Sequence, residues 1–125
     1  MKLEEFLDSL KYDANGLIPA VVQDYENGDV LMVAWMNRDA VKETLTSGRA
    51  CFWSRSRRKF WIKGETSGNI QAVKNVYVDC DKDCFIVKVD QTGAACHEGY
   101  RTCFFSEVDS NGNETIVLEK LTDAY

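Results

Sequence analysis

The sequence predicts an α+β fold, mainly antiparallel β with two short helices, and three observations carry that prediction. Short alternating or β-branched runs recur along most of the chain, turn signals separate them, and only two segments repeat apolar residues at helical spacing. With 125 residues and 45% hydrophobic content, residues 1–125 are expected to form a single domain around one core. No repeat, linker or low-complexity stretch divides them.

Leu3, Phe6, Leu7 and Leu10 predict an amphipathic N-terminal helix whose apolar side packs on the domain. Leu17 to Tyr25 follows as a strand, with Pro19 placing it at a sheet edge or at a strand start. Asn27-Gly28 then turns the chain into a second strand, Val30 to Met36, completing a hairpin. Asn37 is suited to cap a helix running to about Ser47, with Val41 and Leu45 facing inward and Gly48 at its end. Further strands are expected at Ala50 to Arg55, Ile70 to Val78, Cys84 to Asp90, Cys103 to Val108 and Thr115 to Leu118. The run Asp109 to Asn113 supplies a turn between the last two.

No long uncharged apolar run is present, and Glu4 and Glu5 fall where a secretory signal needs apolar residues, so a cytoplasmic protein without a membrane partner is expected. Five cysteines, an odd number, fit metal-bound or free thiols in a reducing compartment. The formal net charge of −5 argues against general nucleic-acid binding. The charge is uneven, however: residues 44–64 contain no acid and carry Arg49, Arg55, Arg57, Arg58, Lys59 and Lys63. That segment is either a local anion site or a solvated basic hairpin.

Asp79-Cys80-Asp81-Lys82-Asp83, Cys96-His97 and Cys103 gather two kinds of metal ligand around the only histidine. Thiolates suit zinc and clustered carboxylates suit magnesium. If residues 79–83 are extended, Asp79, Asp81 and Asp83 project to one side and Cys80 to the other. The alternative is a solvated acidic turn. The spacing C-x15-C-x6-C of Cys80, Cys96 and Cys103 lacks the paired C-x2-C of a closed structural site, and three ligands leave a position open for water. Free cysteines also serve as small buried hydrophobes, the role expected for Cys51 and Cys84, although Cys84 remains a rival to Cys80.

The segments 52–57 and 61–69 bring together Arg, Lys, hydroxyl and glycine residues suited to phosphate, without the Walker A order. Trp53 and Trp61 are candidates to stack on a base or to fill the core.

These motifs together resemble the phosphoribosyl-AMP cyclohydrolase family, whose members open the adenine ring of phosphoribosyl-AMP in histidine biosynthesis. The resemblance runs from Gly16–Asp24 through Ala34–Asn37, Trp53–Arg57, Lys63–Asn69 and Asp79–Asp83 to Gln91–His97 and Cys103-Phe104. It implies zinc on Cys80, Cys96 and Cys103, magnesium on Asp79, Asp81 and Asp83, and His97 as the catalytic acid/base. It also implies an intertwined homodimer with zinc sites built across the subunit interface, in a stand-alone form without a fused pyrophosphohydrolase domain. The nucleotide-binding candidates are Trp53, Arg55, Ser56, Lys63, Glu65, Thr66, Ser67 and Asn69. A structural zinc or RNA-binding module fits less well, because the fourth thiol is missing and the balance is acidic. A zinc nucleobase deaminase would require His-x-Glu followed by Pro-Cys-x-x-Cys, which this chain lacks.

Overall fold

The computed structural model describes residues 2–122, and its first two strands form the hairpin that Asn27-Gly28 predicts. β1 (Ile18–Asp24) and β2 (Val30–Met36) pair antiparallel, with Ile18 opposite Met36 and Val22 opposite Met32. Gly28 supplies the left-handed backbone of the turn at φ 80°. A second antiparallel hairpin, β5 (Gln71–Val78) and β6 (Phe85–Gln91), completes a four-stranded sheet of order β2-β1-β6-β5. The join between the hairpins, β1 with β6, is parallel. β1 is therefore internal, not an edge. Pro19 is tolerated because it lies at the strand start, before pairing with β6 begins at Ala20 opposite Phe85.

Alternation along these strands buries Ile18, Ala20 and Val22 beside Phe85, Val87 and Val89 on one face of the sheet. α1 (Lys2–Ser9) inserts Leu7 into that core and sets the Phe6 ring 6.3 Å from Phe85. α2 (Arg38–Ser47) is tied to α1 by Arg38, 2.8 Å from Glu4 and 2.7 Å from Asp8. Asn37 caps α2 by accepting from the Ala40 amide at 2.8 Å, and Gly48 ends it in the left-handed conformation. Leu45, expected inside, is 36% exposed. The buried stripe is instead Ala40, Val41 and Thr44, because the Thr44 hydroxyl satisfies both backbone groups of Cys51.

β3 (Cys51–Ser54) pairs with β4 (Lys59–Ile62), a strand missed in the basic segment, through a turn with Arg58 at φ 54°. This hairpin is fastened to β5 by the Ala50 amide on the Gln71 carbonyl at 3.1 Å. β7 (Ser106–Val108) and β8 (Glu114–Ile116) pair over fewer residues than expected. Cys103 cannot join β7, since its amide donates to the Leu31 carbonyl at 2.8 Å.

The other face of the four-stranded sheet is partly exposed among the described residues. Register aligns Val33, Val21, Ile86 and Tyr77 across it, and Val33, Ile86 and Tyr77 are all exposed. Among the described residues no helix is long and apolar enough to cross a membrane.

Candidate active site

The β3–β4 hairpin, the loop after it and the end of β2 enclose a cavity of about 480 Å³. Five of the expected nucleotide-binding residues line it: Trp53, Lys63, Glu65, Thr66 and Ser67. The other three sit around it. Arg55 stacks its guanidinium 4.7 Å from the Trp35 ring, and the Ser56 hydroxyl lies 3.4 Å from that of Ser54. Asn69 closes the loop from behind. A Cβ added at Gly64, which has φ +81°, would stand 2.4 Å from the Asn69 carbonyl carbon, so only glycine allows the chain to fold back here. Ala34, Trp35 and Phe60 line the cavity as well, beyond the residues to which the sequence points, beside Arg57 and Lys59 of the basic segment. The signal for Trp35 was a bulky aromatic in the motif Ala34–Asn37.

Lys63 joins this cavity to the thiols. Its ammonium donates to the Ala95 carbonyl at 2.6 Å and lies within the electrostatic reach of both Cys96 and Cys103. Burial lowers the Lys63 pKa, and the two thiols oppose that shift. Cys103 is exposed as a residue, yet its thiol lies beside that of buried Cys96. Partial desolvation, and then repulsion from Cys96, pushes it up to about 11. His97 stands exposed at the turn closed by the Gly99 amide on the Cys96 carbonyl.

The acidic segment is not extended. The Asp79 amide bonds to the Cys84 carbonyl at 3.0 Å and Lys82 adopts φ 60°, making a tight β5–β6 turn. The alternation expected for residues 79–83 therefore fails. Cys80 does not point away from the acids: ligand atoms of Asp79, Cys80 and Asp81 lie within 4.8 Å of one another, all exposed. Asp83 folds back so that its amide meets Asp79 Oδ1 at 3.0 Å. That hydrogen bond leads the causes lowering the Asp79 pKa, while hydrogen bonding to Asp79 raises that of Asp83. Cys84, half-buried at the end of the same turn, is not in the group of Asp79, Cys80 and Asp81, and its thiol donates to the Phe85 carbonyl at 3.7 Å. Cys51 is fully buried, with its thiol donating to the Arg49 carbonyl at 3.2 Å, as expected for a packing residue.

One chain does not bring the three predicted thiols together. Cys80 lies on the turn before β6, where the Lys82 carbonyl accepts from the Lys11 amide beside the start of β1. Cys96 and Cys103 lie beyond the other end of β6, where Arg101 pairs with Asp24 at 2.9 Å and Cys103 meets Leu31. The seven residues of β6 span roughly 20 Å between them. The donor chemistry nevertheless fits the expected ions: paired thiols in repulsion favour a soft cation, and clustered carboxylates favour a hard one.

A basic, aromatic cavity of nucleotide size beside two thiols defines a small-molecule enzyme site. The family model for phosphoribosyl-AMP cyclohydrolase matches residues 32–105. The phosphoribosyl-AMP cyclohydrolase of Pelotomaculum thermopropionicum is 58% identical over 117 residues, 94% of this chain and 91% of the relative. That of Paracoccus denitrificans is 56% identical over 110 residues, 88% of this chain and 90% of the relative. That of Chlorobium phaeovibrioides is 54% identical over 113 residues, 90% and 82% of the two chains. The chain belongs to the phosphoribosyl-AMP cyclohydrolase family.

Proposed function

We propose that this protein hydrolyses phosphoribosyl-AMP, opening the adenine ring at N1–C6 to give the aminoimidazole carboxamide ribonucleotide of histidine biosynthesis, in the cytoplasm. The observation that carries the reading, beside family membership, is Lys63: it lines the nucleotide-sized cavity and also faces Cys96 and Cys103. Trp53 and Trp61 offer ring faces to the base, while Arg57 and Lys59 at the rim offset phosphate charge. The reaction consumes one water. Its oxygen becomes the carboxamide oxygen, the N1–C6 bond breaks, and no ammonia leaves. His97 takes a proton from the attacking water and returns one to departing N1, a task suited to an imidazole near neutral pH.

Cys80, Cys96 and Cys103 would hold zinc, which when bound supplies an activated water. Asp79, Asp81 and Asp83 would hold magnesium, offsetting substrate phosphate. Because Cys80 is at the opposite end of β6 from the thiol pair, a three-thiolate site calls for two copies, with Cys80 contributed by one and Cys96 and Cys103 by the other. The exposed row Val33, Ile86 and Tyr77 supports a homodimer, since it gives a second copy apolar surface to cover.

The test is metal-loaded protein mixed with phosphoribosyl-AMP, followed by ultraviolet absorbance and an ammonia assay together. Ring opening changes the absorbance with no ammonia released. Ammonia produced in step with substrate loss would make the protein a deaminase, and unchanged substrate would end the reading.

A further inference from the structure

Gln71 is fully buried, and its side-chain oxygen is an orphan: Oε1 has no hydrogen-bond partner among the described residues. Gln71 and Gln91 are cross-strand partners on β5 and β6, and Gln71 Nε2 donates to Gln91 Oε1 at 2.8 Å. Gln91 Nε2 in turn donates to the Thr92 carbonyl at 2.9 Å and to the Asn69 carbonyl at 3.4 Å.

The orientations are forced. Two carbonyls demand that the Gln91 amide group face them, so its oxygen must face Gln71, and Gln71 must answer with its own NH2. Gln71 Oε1 is then left unpaired, at a cost of about 1–3 kcal/mol for a buried acceptor. An apolar pair at this rung would avoid that cost, so the arrangement is explained by what the far end of the network holds.

That far end is a junction. Asn69 ends the loop whose Gly64, Glu65, Thr66 and Ser67 wall the cavity, and it backs directly onto Gly64. Thr92 begins the loop leading to Cys96 and His97, and its amide donates to the Ile70 carbonyl at 3.0 Å. Gly93, at φ +67°, sits directly against the Asn69 side chain, so the two loops meet here. We infer that Gln91, oriented by Gln71, is a positioning residue that fixes the nucleotide-binding loop against the loop carrying Cys96 and His97. The effect on turnover rests on the hydrolase reading above, whereas the effect on the loops does not.

The experiment uses the full chain with both glutamines replaced, Gln71→Leu/Gln91→Leu. This removes the buried Gln71 amide together with its half-buried partner, which protects stability, but it also removes the donors to Thr92 and Asn69. The single variant Gln91→Leu, which leaves the Gln71 amide only the Met32 sulfur at 3.3 Å as acceptor, serves as the stability control. Two results are expected for the double variant. Hydrogen exchange speeds up in residues 64–69 and 92–96 while β1 and α2 keep parental protection. At unchanged zinc content kcat for phosphoribosyl-AMP falls at least about tenfold with KM within about threefold, the signature of misplaced reacting groups. Parental exchange in those loops overturns the inference whatever the activity. Faster exchange with parental kcat overturns it too, because the junction would then be structural only. A parental protein that never turns over phosphoribosyl-AMP defeats the hydrolase reading, and the exchange result still decides whether the glutamines hold the loops.

Discussion

His97 and Cys96 are adjacent in sequence yet occupy opposite environments, the thiol buried and the imidazole exposed. That divergence suits one residue to ligation and its neighbour to proton transfer. His97→Ala should retain zinc, measured by metal analysis, while turnover falls on the order of a hundredfold. Zinc lost in proportion to activity would make His97 a ligand. Gly64 carries a different constraint, combining a left-handed φ with backbone 2.4 Å from any added Cβ. Gly64→Ala should lower stability by at least about 2 kcal/mol in a denaturant titration, because neither Asn69 nor Ile70 can yield without moving the loop. Asp24 anchors the segment between Cys96 and Cys103 through Arg101 at 2.9 Å. That hydrogen bond is the main cause holding its carboxyl below the usual range. A depressed carboxylate stabilises the fold above its unfolded pKa, and the contribution disappears as pH falls through the folded value. Asp24→Asn should therefore cost about 1 kcal/mol at pH 7, a low value because Arg101 remains partly solvated, with the difference from the parent shrinking as acid protonates the Asp24 carboxylate. Melting curves across pH measure both.

At the scale of elements, what local chemistry encodes was legible and what distant pairing decides was not. Asn37 and Gly48 bracket α2 as their side-chain and backbone preferences require, and Asn27-Gly28 makes the first hairpin. The parallel pairing of β1 with β6 has no turn to announce it. The acidic segment defied alternation because Lys82 takes a left-handed conformation rare for lysine, which hydrogen bonding within the turn sustains. Lys59–Ile62 escaped notice as a strand because its charges suggested a ligand loop, and it proves to be both strand and cavity wall. The motif segments made most of the cavity readable, and Arg57, one of several basic residues in them, is distinguished by the fold that sets it on the cavity wall. If the β3–β4 hairpin supplies the phosphate-binding rim, Arg57→Ala should raise KM for phosphoribosyl-AMP about tenfold, with kcat and zinc content little changed. An unaltered KM would assign the phosphates to another wall.

For the whole molecule, the sheet that makes the core also keeps the predicted metal ligands apart. β6 runs from the Asp79–Cys84 turn to the loop carrying Cys96, so its length sets a separation that side-chain movement within one chain cannot close. The proposed composite site would reconcile that separation with a three-thiolate zinc site, and the exposed apolar row offers a surface for assembly. The most direct measurement mixes two inactive proteins, Cys80→Ser and Cys103→Ser, under conditions in which subunit exchange is independently demonstrated. A heterodimer would contain one site with its Cys80, Cys96 and Cys103 all intact, so phosphoribosyl-AMP turnover should return to about a quarter of the parental rate in an equal mixture. No recovery despite full exchange would contradict the account and place all the working ligands within one chain.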